Sequence, residues 1–192
     1  MMSLPNLLTL SRIVFAALIV WFLMQYSLGA YVAAAVLFTA AALTDFYDGY
    51  LAKKQGLISD FGKIMDPIAD KILILSVFGV LAYMGLVGIW MVILIALREI
   101  AVTVSRLQAM TKGKVLAAEQ AGKIKTVFQI VTISVVLLFL IAEESPCARG
   151  WFVQVQQIWQ GGINLLMLMT VLLTVGSGIA YFRNQWTASP KS

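Results

Sequence analysis

Residues 30–51 read AYVAAAVLFTAAALTDFYDGYL, and residues 62–84 read GKIMDPIADKILILSVFGVLAYM. Each stretch is long enough to cross the hydrocarbon core of a bilayer, which takes about 20 largely apolar residues. Each also carries two aspartates, Asp45 and Asp48 in the first and Asp66 and Asp70 in the second. An Asp at the centre of a spanning helix costs roughly 2.5–3.5 kcal/mol on insertion scales. Apolar length therefore sets the fold class, while the four carboxylates need a reason to be there.

The rest of the chain repeats the first property. Of its 192 residues 61% are apolar and 12% charged, the latter about half the ~25% usual in soluble domains. That excludes a disordered chain, a disulfide scaffold and an ordinary soluble enzyme. Four more apolar segments, 4–28, 87–109, 122–142 and 162–182, join 30–51 and 62–84. Backbone in lipid must satisfy its own hydrogen bonds, leaving helices or a closed barrel. Unbroken apolar runs favour helices, since barrel strands alternate. The expectation is an all-α integral membrane protein, residues 1–192 forming one domain of six transmembrane helices. The first segment carries no charge before Arg12 and no small-residue cleavage site, so it reads as a retained helix. With six spans the termini share one side with the loops near 53–61 and 110–122. Every Lys and Arg except Arg149 falls on that side or in the helix halves nearest it. The positive-inside rule puts this side, and both termini, in the cytoplasm. The net charge of +5 reads as a basic face against anionic lipid, with no nucleic acid implied.

Histidine is absent and cysteine occurs once, as Cys147. No intramolecular disulfide forms, and any acid–base or metal chemistry must rest on carboxylates. Asp45 and Asp48 are i, i+3, and Asp66 and Asp70 are i, i+4, so each pair shares a helix face. The first pair closes helix 2 and the second opens helix 3 across a short loop, which predicts antiparallel neighbours. Counted from Ala52 and Gly62, Asp48 and Asp66 lie about 6 Å into their helices, and Asp45 and Asp70 about 11–12 Å. Two layers of carboxylates can meet at matched depth. Four ionised carboxylates in one partly dry site repel, and hard divalent cations with oxygen ligands relieve that repulsion best. One or two Mg²⁺ or Mn²⁺ ions holding a diphosphate at the cytoplasmic surface fit. The plainer alternative pairs single aspartates with Lys63 and Lys71. Asp60, just ahead of a helix, reads as an N-cap. Gly49 and Ala52 suit either close helix packing or the approach of a nucleobase or phosphate to the backbone.

Taken together, Asp45, Asp48, Gly49, Ala52, Gly62, Asp66 and Asp70 spell D-x2-D-G-x2-A-R-x8-G-x3-D-x3-D with every gap length kept. This resembles the signature of the CDP-alcohol phosphotransferases. One position departs: Lys53 stands where the family has Arg, keeping the charge and losing the bidentate fork. The resemblance implies a six-helix membrane fold, usually a homodimer. It implies a two-metal site moving a phosphatidyl group from a CDP-linked lipid to an acceptor hydroxyl, with CMP released. On it, Asp45, Asp48, Asp66 and Asp70 bind metal, Asp70 is also the general base, and Gly49, Ala52 and Lys53 border the CDP.

The acceptor is read from the other segments. Asn6, Thr9 and Arg12 form a polar stripe on helix 1, Arg98 and Arg106 lie on helix 4, and Lys123 and Lys125 open helix 5. These segments resemble those of bacterial family members that make phosphatidylglycerol phosphate. That resemblance implies CDP-diacylglycerol and glycerol 3-phosphate as substrates and a bacterial inner membrane, with the site facing the cytoplasm. A dianion entering a carboxylate-rich site needs cations to hold its phosphate, and Arg106, Lys123, Lys125 and then Arg98 are the candidates. Lys112 and Lys114 read as ordinary loop cations, and Arg12 alone as a snorkelling side chain. Arg98 and Glu99 are adjacent, so each is expected to need its own partner. A different acceptor, an inositol phosphate or phosphatidylglycerol giving cardiolipin, fits the same motif. A divalent-cation transporter is the reading from another class; the one-sided carboxylates and the lack of repeat symmetry count against it. Trp151–Gln160 suggests a short amphipathic piece on the outer surface.

Overall fold

The computed structural model describes residues 4–55, 60–111, 120–147 and 149–187. Within them, the side chains of residues 4–10, of the acidic ends of the second and third helices, and of Lys123 lie outside the description. The described residues form six helices and no strand. These are α1 (Leu4–Leu23), α2 (Leu28–Gln55), α3 (Asp60–Tyr83), α4 (Ile89–Thr111), α5 (Gln120–Glu144) and α6 (Arg149–Thr187). The all-helical class is thus as the apolar runs predict.

Two boundaries differ from the hydropathy reading, each for a local reason. α1 stops at Leu23 instead of continuing to 28. The amide of Gln25 donates to Phe22 O at 3.0 Å and Tyr26 takes φ 49°, a left-handed residue that ends the helix. Ser27 then caps α2, its carbonyl accepting from the Tyr31 amide at 3.0 Å. The second difference is α6, one helix from Arg149 where a break was expected down to Gly161. The expected outer amphipathic piece is its first turns. Gly161 and Gly162 weaken a helix by about 1 kcal/mol each without stopping it. Three contacts anchor the extension: Gln160 Nε2 donates to Leu86 O at 3.1 Å, Gln156 Nε2 to Glu143 Oε1 at 3.3 Å, and Trp159 lies on Phe139. The α3–α4 turn falls where its glycines predict. Gly85 takes φ 77°, its amide donates to Ala82 O, and that of Leu86 to Leu81 O, both at 3.0 Å. This nested pair is a Schellman motif, which uses a left-handed glycine to satisfy the last carbonyls of the helix.

Among the described residues the helices pack in a closed ring, α1–α2–α5–α6–α4–α3 and back to α1, with α3 also touching α5 across the middle. The interior is filled by Ile19, Phe38, Phe78, Leu81, Ile95, Ile133, Leu137, Phe139 and Met167, all under 2% exposed or at 2%. The outside is apolar as well: Trp21, Val36, Leu97, Leu172 and Ile179 are each more than half exposed. A soluble monomer rarely shows so continuous an apolar surface; acyl chains are its natural cover. Two described stretches, Ile124–Glu144 and Gln154–Asn184, are long and apolar enough to cross a membrane, while Ser11–Leu23, Leu28–Thr44 and Lys71–Tyr83 are shorter apolar helices.

The acidic ends of α2 and α3, where the sequence expects the two helices to meet, lie outside the described side chains. Further along, both helices line one cavity.

Candidate active site

The cavity holds about 70 Å³ and is walled by four helices. α1 gives Arg12, α2 gives Phe38, Ala41 and Ala42, α3 gives Lys71 and Ile74, and α5 gives Thr126 and Gln129. Its position relative to the acidic motif follows from the backbone. Asp45 comes one turn after Ala41 on α2, and Asp70 immediately precedes Lys71 on α3. The cavity therefore lies at the inner edge of the turns that carry Asp45, Asp48, Asp66 and Asp70. All four occupy helix, as do Gly49, Ala52 and Lys53. The side chains of these residues, and those of Asn6, Thr9 and Lys123, lie outside the described residues. As a donor set, four carboxylates with no imidazole in the chain, and with the single thiol exposed in the α5–α6 turn, suit a hard divalent cation.

Arg12 does not snorkel. It is 4% exposed and faces the cavity from α1. A cation this buried needs anionic company or a ligand, so the polar stripe of helix 1 points inward at this residue.

Lys71, which also lines the cavity, belongs to an ion cluster that the sequence did not reveal. Glu99 of α4 is 1% exposed. Its Oε2 lies 2.5 Å from Lys71 Nζ of α3, and its Oε1 meets Lys125 Nζ of α5 and, at 3.2 Å, Arg98 Nη1. Gln129 Nε2 donates to the same Oε1 at 3.4 Å. One carboxylate thus ties three helices together inside the ring. Isolated burial of such a charge would cost several kcal/mol, and only close pairing offsets that. Adjacent side chains on a helix do not normally face each other, yet Arg98 Nη1 reaches Glu99 Oε1. Its Nη2 also donates to Ser177 Oγ of α6 at 2.9 Å. Gly178 makes room for this: a Cβ built there would lie 2.9 Å from Arg98 Cγ.

Of the residues expected to hold an acceptor phosphate, Lys125 and Arg98 are therefore brought together, on Glu99. Arg106 lies further along α4 toward its C-terminus, half-buried, with its Nε in no hydrogen bond among the described residues. Glu99 was the missed residue. Its one sequence signal is a carboxylate inside an apolar helix, the same signal that marks the aspartates.

Comparison with known proteins bears on what this arrangement does. The chain is 36% identical to the CDP-diacylglycerol–glycerol-3-phosphate 3-phosphatidyltransferase of Bacillus subtilis, over 98% of this chain and 97% of that one. It is 36% identical to a probable phosphatidylglycerophosphate synthase of Mycobacterium tuberculosis, over 93% and 79%. It is 41% identical to a Rickettsia felis protein with the same name as the Bacillus one, over 71% and 75%. A family model described as CDP-alcohol phosphatidyltransferase matches residues 2–176. Because that match takes in α1 to α5 whole and most of α6, acidic motif and cavity included, the chain belongs to the CDP-alcohol phosphatidyltransferase family.

Proposed function

We propose that the protein transfers the phosphatidyl group of CDP-diacylglycerol to glycerol 3-phosphate, giving phosphatidylglycerol phosphate and CMP. The observation that carries this reading is the cation-lined cavity at the inner edge of the acidic motif. An anionic acceptor needs both parts, positive groups to hold its phosphate and a carboxylate to take its proton. The names of the Bacillus and Mycobacterium relatives support the same choice of acceptor.

In this reading Asp45, Asp48, Asp66 and Asp70 hold two divalent ions, Mg²⁺ or Mn²⁺. Bound metal neutralises charge on the diphosphate and on the departing CMP. Gly49, Ala52 and Lys53 border the CDP. Arg106 and Lys123 hold the acceptor phosphate, and Lys125 and Arg98 add positive potential from the Glu99 cluster behind them. The polar stripe of Asn6, Thr9 and Arg12 lines the facing wall. Asp70 accepts the proton of the acceptor hydroxyl. The hydroxyl oxygen bonds to the phosphorus that carries the diacylglycerol, and the P–O bond to CMP breaks. All six helices span a bacterial inner membrane, with both termini and the site at the cytoplasmic face, and the protein works as a homodimer.

The test is CMP release by the purified protein with CDP-diacylglycerol, comparing glycerol 3-phosphate with inositol, inositol phosphate, serine and phosphatidylglycerol, with Mg²⁺ and with EDTA. Release is expected only with glycerol 3-phosphate and metal together. Release with another acceptor alone would overturn the substrate assignment and keep the family chemistry. Release that persists in EDTA would overturn the metal assignment.

A further inference from the structure

We propose that Thr174 of α6 holds an internal water molecule in the α5–α6 seam, and that this water carries the polar wall of the cavity across to α6. Thr174 is fully buried, and its hydroxyl finds no hydrogen-bond partner among the described residues. Neighbouring threonines behave differently. Thr126 and Thr132 of α5 and Thr170 of α6 each donate to the carbonyl four residues earlier, at 3.1, 2.8 and 2.8 Å. A helical threonine has that carbonyl within reach, so a buried Thr174 hydroxyl that leaves it unused is turned toward the packed interior. Buried polar groups nearly always have a partner, from protein or from ordered water, and one without a partner costs free energy. The register shows what stands beside it. The 2.8 Å hydrogen bond between Thr132 and Thr170 pins the antiparallel α5 and α6. Thr174 comes one turn further along α6, and Gln129 one turn back along α5, so the two share a depth. Gln129 is 2% exposed, lines the cavity, and uses one amide hydrogen on Glu99 Oε1 at 3.4 Å. A glutamine still has a second N–H and an acceptor oxygen to give, and a threonine hydroxyl has one donor and two acceptor positions. Together they offer the two to four polar contacts that a buried water needs. Both groups are neutral, which suits water and not an ion.

The test is water-edited solid-state NMR on the full-length protein in lipid bilayers, with isotopically labelled threonine. Magnetisation from water is expected to reach Thr174 well before it reaches Thr170, one turn or about 6 Å along the helix, and its partner Thr132. Those two hydroxyls are equally buried and bonded to each other, so they serve as the dry reference. Build-up at Thr174 as slow as at Thr170 would overturn the proposal. Thr174→Val identifies the signal and also tests the energetics, because valine keeps the shape and loses the hydroxyl. With water bound there, the lost hydrogen bond is expected to lower the unfolding midpoint by about 2–4 °C. A dry hydroxyl predicts the reverse, since removing an unpaired polar group relieves its desolvation cost. An unchanged or higher midpoint in Thr174→Val would therefore overturn the proposal as well. If Thr174→Val does not fold, Thr174→Ser assigns the signal with the hydroxyl retained, and the build-up rate decides alone.

Discussion

In the proposed reading Asp70 both holds metal and takes the acceptor proton. Asp70→Asn keeps the volume and removes the negative charge that serves both roles. General-base catalysis contributes roughly 10²–10⁴-fold, so CMP release is expected to fall by at least that much while the thermal unfolding midpoint stays near that of the parent. Near-normal turnover in folded Asp70→Asn would remove it as base. Arg106 offers a separation of binding from chemistry. A hydrogen bond to a charged group is worth about 1.5–3 kcal/mol, so Arg106→Ala is expected to raise KM for glycerol 3-phosphate roughly tenfold or more, and KM for CDP-diacylglycerol far less. Equal rises would take Arg106 out of the phosphate pocket. The acidic motif stands out in the sequence because its aspartates recur at short fixed spacing along two stretches joined by a loop, while their side chains lie outside the described residues. Glu99 does not stand out, because its partners come from separate helices, Lys125 being 26 residues away, and no spacing rule reports which helices a ring brings together. Arg12 was legible as polar and illegible in direction, since a snorkelling arginine and a cavity-lining one share the same place in the chain.

Helix α6 carries the consequences at the scale of elements. Its 39 residues amount to about 58 Å at 1.5 Å per residue, roughly twice the hydrocarbon thickness, so a spanning α6 would project beyond the bilayer. Hydropathy marks only 162–182, because glutamines and glycines in 154–162 lower the apolar signal without breaking the helix. Further along, Gly178 lets Arg98 cross from α4 to Ser177. An added methyl at 2.9 Å from Arg98 Cγ must push that stem aside. Gly178→Ala is therefore expected to destabilise the protein in detergent by about 1–3 kcal/mol, the usual range for overpacking. In an Arg98→Ala background that cost should vanish, and additive losses in the double variant would show that the methyl strains something other than Arg98. The α5–α6 seam has a milder dependence. Thr132 and Thr170 share a 2.8 Å hydrogen bond between fully buried hydroxyls, and interhelical bonds of this kind average about 0.6 kcal/mol in membrane proteins. Thr170→Val should thus shift the unfolding midpoint only slightly, while a loss of several kcal/mol would mean the threonines belong to a larger polar network.

For the whole molecule, the same charges that make a reaction conceivable also blur the membrane signal. Among the described residues only parts of α5 and α6 are both long and apolar enough to stand as spans. α4 is interrupted by Arg98, Glu99 and Arg106, and α2 and α3 by their aspartates and lysines. On the proposed six-span reading these helices cross with charges paired inside the ring, as Glu99 is, or collected at one end near the aqueous face. The lopsided distribution of Lys and Arg would then put that basic end in the cytoplasm. Cys147 tests that orientation without engineering, since it is the only thiol in the chain and is exposed in the turn between α5 and α6. With six spans and cytoplasmic termini, this turn faces outward. A membrane-impermeant maleimide is expected to label Cys147 in intact spheroplasts and to miss it in sealed inside-out vesicles. The pair Cys147→Ser with Ser192→Cys, which moves the thiol to the C-terminus, should reverse the pattern. Labelling of Cys147 from the cytoplasmic side would invert the topology and put the basic face outside, against the anionic substrates made within the cell. Labelling of both positions from the same side would mean that α6 does not cross at all, and its apolar exposed face would then need a protein partner instead of lipid.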